Sequence, residues 1–385
     1  MNRLRFMEEE LSRRRESRRL RKLRRVTPVD GAYVEVDGKR LLNVCSNDYL
    51  GLAHHPLLVK RAAEFMERYG AGSTASRLVC GNYGCFEDVE RKLAQLKKTE
   101  AALLLPTGYQ ANATLLPAIC DRNSLILSDR LNHNSIISGC ALARCTVMIF
   151  EHNDTGHLEK LLAQNRNKGF SRIVIVTESV FSMEGDICDL DAMCSLAKKY
   201  GALLMVDEAH ATGVFGHSGM GLTCGRDIDI VMGTFGKGAG SFGAYVSCSS
   251  LVRDYLVNRC AGLIYSTGLP PSVAGAIDAA LDLIPEMGAK RAELIDNANR
   301  FRNKLSSAGF DTGLSASQIV PVVVGPEKAA LDLSCWLEQK GFMAPAIRPP
   351  SVPADGSRVR ISLSALHSRQ DIDRLGDEIC RWAKK

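Results

Sequence analysis

Two short clusters hold the residues best suited to covalent chemistry. Residues 206–210 read Val-Asp-Glu-Ala-His and close an apolar run, while residues 234–238 read Thr-Phe-Gly-Lys-Gly and follow another apolar run. Glycines on both sides of Lys237 let other groups approach its amine closely. Taken alone, Asp207 is as consistent with a structural role as with a functional one, and a lone lysine there would be an ordinary surface charge.

Considered together, the two clusters favour a pyridoxal phosphate site. A lysine amine condenses with carbonyl groups, and pyridoxal phosphate is the commonest cofactor held through such a bond. Asp207 suits the pyridine nitrogen of that cofactor, because its charge keeps the nitrogen protonated. His210, in the same turn, is placed to reach the ring hydroxyl.

The phosphate of such a cofactor needs backbone N–H donors at the start of a helix. Residues 106–112, Pro-Thr-Gly-Tyr-Gln-Ala-Asn, follow an apolar run and open a helical stretch, and Thr234 offers a further hydroxyl. An ordinary strand-to-helix turn is the alternative for residues 106–112. Residues 238–243 fit the G-x-G-x-x-G pattern, but an apolar run follows them where a helix is required, which disfavours a nicotinamide site.

Short apolar runs and helical stretches alternate through the middle of the chain. The segment Asp189–Tyr200 has helical periodicity, and seven runs have the length of buried strands: Ala101–Leu105, Leu125–Leu127, Thr146–Phe150, Ile173–Thr177, Leu203–Asp207, Ile230–Gly233 and Ala244–Ser247. This alternation predicts an α/β fold with a mostly parallel sheet covered on both faces. Ligands of such sheets bind beyond the carboxyl ends of the strands, where both clusters fall.

Beyond about residue 285 the pattern changes to a smaller α+β arrangement. A helical stretch carries Leu294 and Phe301 on one face, strand-like runs cover 319–324 and 358–363, and a final amphipathic helix carries Ile372 and Leu375. We therefore predict three parts: residues 1–45 with a basic helical arm and short strands, a large domain over 46–285, and a small domain over 286–385.

Composition excludes several classes of protein. Of 385 residues, 45% are apolar and 24% charged, which is typical of a globular enzyme and excludes a disordered or fibrous chain. The sequence has no run of about 18 apolar residues and no secretory signal, so we expect a cytoplasmic protein without a membrane span. The thirteen cysteines include no C-x-x-C pair, which favours free thiols and no metal site.

The net charge of +6 comes from the N-terminus, since residues 1–25 contain eleven Lys or Arg and four Glu. Such a basic arm is either a solvated helix face or a surface that attracts an acidic partner: nucleic acid, an anionic carrier or a phosphorylated substrate. Phe6 is its one aromatic residue and no nucleic-acid-binding motif follows, so nucleic acid is the least favoured partner.

Six runs carry a family pattern: Ser46–Leu52, Asp129–His133, Thr177–Asp186, Val206–His210, Thr234–Lys237 and Ile264–Thr267. In these runs the chain resembles the α-oxoamine synthases, a group of fold-type I pyridoxal phosphate enzymes, and the resemblance covers nearly the whole chain. It implies a large, mostly parallel seven-stranded sheet domain and a smaller C-terminal α+β domain. The run 346–353, with Arg358 and Arg360 after it, points to the branch that serves biotin synthesis.

The resemblance also implies residue roles. Lys237 would bind the cofactor and move the proton at the substrate Cα, Asp207 would pair with the pyridine nitrogen, and His133 would stack on the ring. Without the resemblance, His133 would be taken for a satisfied core histidine. Further cofactor contacts would come from Gly108, Tyr109, Ser182, His210, Thr234 and Thr267, the last reaching the neighbouring subunit of a homodimer. Arg360 would hold the amino-acid carboxylate, and Arg21, Ser351 and His133 would also contact substrate.

The implied reaction is a decarboxylative Claisen condensation of L-alanine with a pimeloyl thioester, either pimeloyl-CoA or pimeloyl-acyl carrier protein. Three alternatives stay open: a relative that uses glycine and acetyl-CoA, a relative that uses serine, and a non-catalytic binding protein on the same fold. One departure bears on the amino acid, since Thr74 and Ala75 stand where many members have two glycines.

Overall fold

The computed structural model describes residues 3–17 and 19–384, so Arg18 of the basic arm lies outside the described residues. The helices are α1 (Arg5–Glu16), α2 (Pro56–Tyr69), α3 (Gly84–Lys97), α4 (Gly108–Ile119), α5 (Asn134–Ala143), α6 (Thr155–Asn165), α7 (Leu190–Tyr200), α8 (Ser250–Arg259), α9 (Ala261–Ile264), α10 (Pro271–Glu286), α11 (Gly288–Ser307), α12 (Glu327–Gln339) and α13 (Arg369–Trp382). The strands are β1 (Val26–Asp30), β2 (Tyr33–Val36), β3 (Lys39–Asn43), β4 (Ala101–Leu105), β5 (Ser124–Asp129), β6 (Thr146–Phe150), β7 (Arg172–Glu178), β8 (Leu203–Asp207), β9 (Ile230–Thr234), β10 (Ala244–Cys248), β11 (Ile319–Gly325), β12 (Phe342–Met343), β13 (Ala346–Ile347) and β14 (Ser357–Ser362).

A seven-stranded sheet forms the centre of the molecule, in the order β4-β10-β9-β8-β7-β5-β6. All seven predicted strands are present, and β5 is longer than its apolar run because Ser124, Ser128 and Asp129 are also buried in it. Only β10 runs antiparallel to its neighbours β4 and β9, and the other pairs are parallel. The predicted fold class, a mostly parallel α/β sheet, is therefore confirmed.

Helices cover both faces of this sheet. On one face, Leu115 of α4 and Ile136 of α5 pack with Met232 of β9. On the other face, Phe86 of α3 and Ile277 of α10 belong to a second buried cluster. This cluster also contains the strand residues whose side chains point to that face. Burial on both faces explains why these strands consist of continuous apolar runs, since successive side chains point to opposite faces.

The C-terminal region has its own antiparallel sheet, in the order β11-β14-β13, with α11, α12 and α13 beside it. Its core joins Phe301, Leu375 and Ile361 with Tyr49 from the N-terminal part of the chain. The strand β12 also pairs in parallel with β3, at Phe342 and Leu42. The domain boundaries at residues 45 and 285 stay a prediction.

All thirteen cysteines are free thiols. Among the residues that the structure describes, no helix is both long and apolar enough to cross a membrane.

Candidate active site

Six strands of the central sheet, all except β10, end at one edge. Because β4, β5, β6, β7, β8 and β9 point in the same direction, the segments that follow them converge there. These segments carry Gly108 and Tyr109 after β4, His133 after β5, Ser182 after β7, His210 after β8 and Lys237 after β9. The alternating pattern of the sequence thus brings predicted site residues from five parts of the chain to one edge.

Lys237 and His210 are in direct contact at this edge. The Lys237 Nζ atom lies 2.7 Å from His210 Nε2, and the Tyr49 hydroxyl lies 2.6 Å from His210 Nδ1. The Gln318 side chain donates to the His210 backbone carbonyl at 2.9 Å, which fixes the turn that carries the imidazole. Burial, and then the positive charge of Lys237, lower the pKa of His210 well below its usual value, so the ring is neutral.

The Lys237 amine is less basic than an exposed lysine. Burial lowers its pKa to about 8, although the negative charges of Asp207 and Glu178 act in the opposite direction. A substantial fraction of this amine is therefore neutral near physiological pH, and only a neutral amine has the lone pair that nucleophilic or basic chemistry needs.

The Asp207 carboxylate is buried and held in place by two donors. Asn112 Nδ2 donates to Asp207 Oδ2 at 2.7 Å, and the Ala209 backbone N–H donates to Oδ1 at 2.8 Å. The same Asn112 nitrogen lies 2.9 Å from Ser135 Oγ, which lies 2.7 Å from His133 Nδ1. A continuous set of hydrogen bonds therefore links the end of β8 to the residue that precedes α5.

His133 is exposed and caps the N-terminus of α5, so the alternative of a satisfied core histidine is wrong. Its backbone N–H donates to Glu178 Oε1 at 2.6 Å. The surrounding protein desolvates the ring enough to lower the pKa of His133. Burial, followed by the charge of Asp207, raises the pKa of Glu178 well above its usual value. The exposed imidazole of His133 thus lies beside the buried carboxyl group of Glu178.

The first turn of α4 lies against the end of β9. A Cβ atom added at Gly108 would lie 3.7 Å from the Thr234 Cβ, so these two residues are neighbours. The Thr234 hydroxyl donates to the Gly243 carbonyl at 2.8 Å and accepts from the Gly236 N–H at 3.1 Å. Tyr109 is exposed on the same turn. The Thr107 hydroxyl caps this helix start by accepting from the Gln110 N–H at 3.1 Å, and the N–H groups at a helix start attract an anion.

Thr267 is exposed and pairs with Ser76 of the glycine-rich loop, residues 70–77. The preceding residue, Ser266, accepts a hydrogen bond from the Gln110 side chain in the first turn of α4. The turn at 266–267 therefore lies beside the helix start of its own chain and also presents Thr267 to the outside.

Arg360 and Ser182 meet at the C-terminal side of this edge. The guanidinium group of Arg360 is buried and donates to the Ser182 backbone carbonyl through Nε. Both terminal nitrogens lie 3.2 Å from Asn47 Oδ1, and Nη2 lies 3.4 Å from the Tyr49 hydroxyl. A buried cation held by neutral groups has charge available for an anionic ligand.

The two remaining predicted residues lie apart from this buried group and contact each other. Arg21 Nη2 donates to Ser351 Oγ at 3.1 Å, and both residues are exposed. The basic arm is thereby joined to the Pro-rich turn that precedes β14.

Sequence reasoning missed several polar partners, namely Asn47, Tyr49, Asn112, Glu178 and Gln318. Two of the family runs contain Asn47, Tyr49 and Glu178, so a signal for them was present in the sequence. Asn112 ends the run 106–112 that was singled out for the phosphate, but nothing in that run identifies its partner Asp207, 95 residues away. Gln318 had no signal, because its partner lies 108 residues away.

Comparison with known proteins identifies the family of this chain. A family model described as "Aminotransferase class I and II" matches residues 39–379. The chain belongs to the aminotransferase class I and II family. A provisionally named 8-amino-7-oxononanoate synthase from Desulfosudis oleivorans is 67% identical and covers 100% of both chains. An 8-amino-7-oxononanoate synthase from Gluconacetobacter diazotrophicus is 50% identical over 92% of each chain.

Among solved structures, the chain is similar to a lysine-to-alanine variant of serine palmitoyltransferase from S. paucimobilis, with a bound PLP-myriocin aldimine. It superposes with a TM-score of 0.92 at 27% identity and covers 99% of this chain and 97% of its own. The present chain is thus a fold-type I enzyme whose cofactor is pyridoxal phosphate. Its residues fit that group: a partly neutral amine, a buried carboxylate and an anion-binding helix start lie at one edge.

Proposed function

We propose that this protein condenses L-alanine with a pimeloyl thioester, with loss of carbon dioxide, to form 8-amino-7-oxononanoate. The observation that carries the proposal is the position of the Lys237 amine, whose pKa is lowered, beside the neutral imidazole of His210. Both lie at the edge where the parallel strands end, which we call the strand-end edge. The buried guanidinium of Arg360 is close to them. The relatives at 50–67% identity that bear the corresponding enzyme name support the same reaction.

Each predicted cofactor residue has a place in the proposal. Lys237 would hold pyridoxal phosphate covalently and Asp207 would face the pyridine nitrogen, while His133 would stack on the ring. Ser182 and His210 would contact the ring oxygen, and Gly108, Tyr109 and Thr234 would hold the phosphate. Pyridoxal phosphate supplies an electron sink for the carbanion that forms at the amino acid's Cα.

Lys237 removes the Cα proton in this proposal. An amine whose pKa lies near 8 has both a neutral fraction that accepts the proton and enough basicity to retain it. The neutral imidazole of His210, 2.7 Å away, adds no positive charge that would oppose this transfer.

Arg360 would orient the amino acid by its carboxylate. Its fork of N–H donors matches the two carboxylate oxygens, and Asn47 and Tyr49 hold the guanidinium in place. Arg21 and Ser351, which are exposed and contact each other, would contact the acyl thioester. The basic arm fits the anionic groups of either coenzyme A or an acyl carrier protein.

A cytoplasmic homodimer is part of the proposal. Thr267 would reach the phosphate of the neighbouring subunit, and exposed apolar side chains surround its turn, among them Leu78, Val79 and Tyr265 at 53%, 78% and 83% exposure. Such a cluster of exposed apolar side chains is typical of a protein interface.

Product analysis tests this reaction directly. The enzyme is given alanine, glycine or serine with pimeloyl-CoA, acetyl-CoA or palmitoyl-CoA, and products are identified by mass spectrometry. We expect 8-amino-7-oxononanoate from alanine and pimeloyl-CoA, and a rate reduced by about a thousandfold or more in Lys237→Ala. Faster turnover of glycine with acetyl-CoA, or of serine with palmitoyl-CoA, would identify another family reaction. No product from any pair, with normal cofactor binding, would favour the binding protein.

A further inference from the structure

Four polar side chains form one connected row between the proposed carboxylate site and the lysine. Arg360 Nη2 lies 3.4 Å from the Tyr49 hydroxyl, that hydroxyl lies 2.6 Å from His210 Nδ1, and His210 Nε2 lies 2.7 Å from Lys237 Nζ. Tyr49 lies between Arg360 and His210 and is fully buried, with 0% exposure. None of the roles assigned above uses its hydroxyl proton.

The direction of each hydrogen bond in the row follows from the donors available. A guanidinium can only donate, so the Tyr49 oxygen accepts from Arg360 and keeps one proton to give. Two acceptors are within reach, Asn47 Oδ1 at 3.1 Å and His210 Nδ1 at 2.6 Å. Asn47 Oδ1 already accepts from both terminal nitrogens of Arg360. The Tyr49 proton therefore goes to His210.

Burial keeps both groups in the forms that this assignment requires. It raises the pKa of Tyr49, so the phenol stays protonated, and it lowers the pKa of His210, so the imidazole stays neutral. A neutral imidazole has one N–H. When Nδ1 accepts from Tyr49, that N–H is on Nε2 and points at Lys237.

An Nε2–H donor distinguishes between the two forms of the lysine. It can donate to the lone pair of a neutral amine. It cannot form a hydrogen bond with an ammonium group, because that group has only donors and no acceptor. The remaining charged or titratable groups that act on Lys237 or on its neighbour His210 are Asp207, Glu178, Arg360 and His133. The two carboxyl groups favour the ammonium form of Lys237, and an Nε2–H donor on His210 counteracts them by favouring the neutral amine.

We propose that Tyr49 is a positioning residue which fixes the proton of His210 on Nε2 and thereby holds the Lys237 amine in its neutral form. The inference rests on the proposed function, because it concerns the base of that reaction. It also connects the carboxylate site to the base, since Arg360 donates to the same hydroxyl.

The test compares Tyr49→Phe with wild type in two measurements on the protein without cofactor. The first is the ¹⁵N spectrum of the histidine side chains, which reports which nitrogen of His210 carries the proton, with His210→Asn to assign the signal. The second is the pH dependence of the rate at which the apoprotein captures pyridoxal phosphate, which reports the pKa of Lys237.

In wild type we expect an Nε2–H imidazole. In Tyr49→Phe, the Nδ1 atom of His210 loses its hydrogen-bond donor, so both tautomers of the imidazole are populated. In the tautomer with the proton on Nδ1, Nε2 can accept a hydrogen bond from an ammonium group. The pKa of Lys237 should therefore rise by roughly 0.5–1 unit. Capture at neutral pH then slows by about three- to tenfold. The matched control is Tyr245→Phe, which removes another fully buried hydroxyl, bonded to Thr212 at 2.7 Å, and should leave both readouts unchanged.

An Nδ1–H imidazole in wild type would overturn the inference even if Tyr49→Phe failed to fold. Unchanged capture kinetics in a folded Tyr49→Phe protein would do the same. Neither measurement involves alanine or a thioester, so a wrong choice of substrates in the proposed function would be detected separately, by the product analysis.

Discussion

The strand-end edge and the basic N-terminal arm both carry groups of charged side chains, but the surroundings of these charges differ. At the edge, groups such as Asp207 and Arg360 are buried, and the pKa values of Lys237 and His210 are shifted by burial and by neighbouring charges. In the arm, Arg24 pairs with Glu338 at 2.6 Å on the surface, where water and salt weaken the attraction. Burial, and not the number of charges, should therefore decide where a substitution has large effects.

The largest effect on stability should come from His152, which connects two segments of the buried edge. Its Nδ1 lies 2.9 Å from Asp129 Oδ1, and its Nε2 lies 2.8 Å from Asp186 Oδ2. Asp129 ends β5, before His133, and Asp186 ends the loop that carries Ser182. His152→Gln leaves two nearly buried carboxylates without their cation, which should lower the free energy of unfolding by about 2–4 kcal/mol in denaturant titrations.

The pH dependence identifies the cause of that loss. Burial lowers the pKa of His152, but the hydrogen bonds and negative charges of Asp129 and Asp186 together outweigh it and raise the pKa from 6.5 to about 10. A raised pKa means that the stabilisation is complete below pH 6.5 and disappears as the pH rises towards 10. The difference between wild type and His152→Gln should therefore shrink from pH 6.5 to 10. His157→Gln, on the first turn of α6, is the control, and a constant difference would contradict the ion-pair explanation.

A second substitution in the buried edge should affect substrate binding more than folding. Arg360→Lys keeps the charge but loses the planar fork, so we expect the KM for alanine to rise by roughly 10–100-fold, equivalent to about 1.4–2.8 kcal/mol. The control is Arg358→Lys, on the same strand, whose guanidinium pairs with Glu184 at 3.0 Å. Equal changes in KM for the two variants would mean that Arg360 does not contact the carboxylate.

The contrast between edge and arm also explains what the sequence could predict. Continuous apolar runs identified the seven central strands, because a strand that is buried on both faces consists almost entirely of apolar residues. This pattern is visible in a short stretch of sequence. Asp207 and Lys237 were found because they directly follow such runs. The antiparallel direction of β10 could not be predicted in this way, because a fully buried strand is apolar whichever direction it runs.

Local sequence patterns could not predict contacts between residues that are far apart in the sequence. Tyr49 contacts a histidine 161 residues away, and Arg360 contacts an asparagine 313 residues away. Tyr49 lies in a family run, which marked it as part of a pattern without assigning a partner. Only the packing of the N-terminal segment against the C-terminal core brings its hydroxyl to His210.

The glycine-rich loop lies between edge and arm in exposure, and it should show an intermediate effect. Thr74 has φ of 62°, in the left-handed region that strains a β-branched residue. Thr74→Gly relieves that strain but adds freedom to the unfolded chain, so we expect a gain of up to about 1 kcal/mol in the free energy of unfolding. Ala75 is not in that region, and Ala75→Gly should lower stability by about 0.5–1 kcal/mol. A loss in both variants would show that Thr74 is not strained.

The smallest effects should come from the basic arm and should depend on salt. Arg19 and Arg24 already pair with Glu327 and Glu338, whereas Lys22 and Arg25 make no ion pair within residues 3–17 and 19–384. The double variant Lys22→Glu with Arg25→Glu therefore removes charge that is free to attract an anionic thioester.

We expect this double variant to raise the KM for the thioester by about two- to fivefold at low ionic strength, with kcat unchanged. The increase should vanish as salt screens the arm. The KM for alanine should stay constant, because the arm contacts the exposed Ser351 and not the buried residues at the strand ends. A matched double variant, Lys198→Glu with Lys199→Glu at the end of α7, controls for net charge. If it raised the KM equally, long-range attraction by the whole protein would explain the effect, and the arm would be a solvated face.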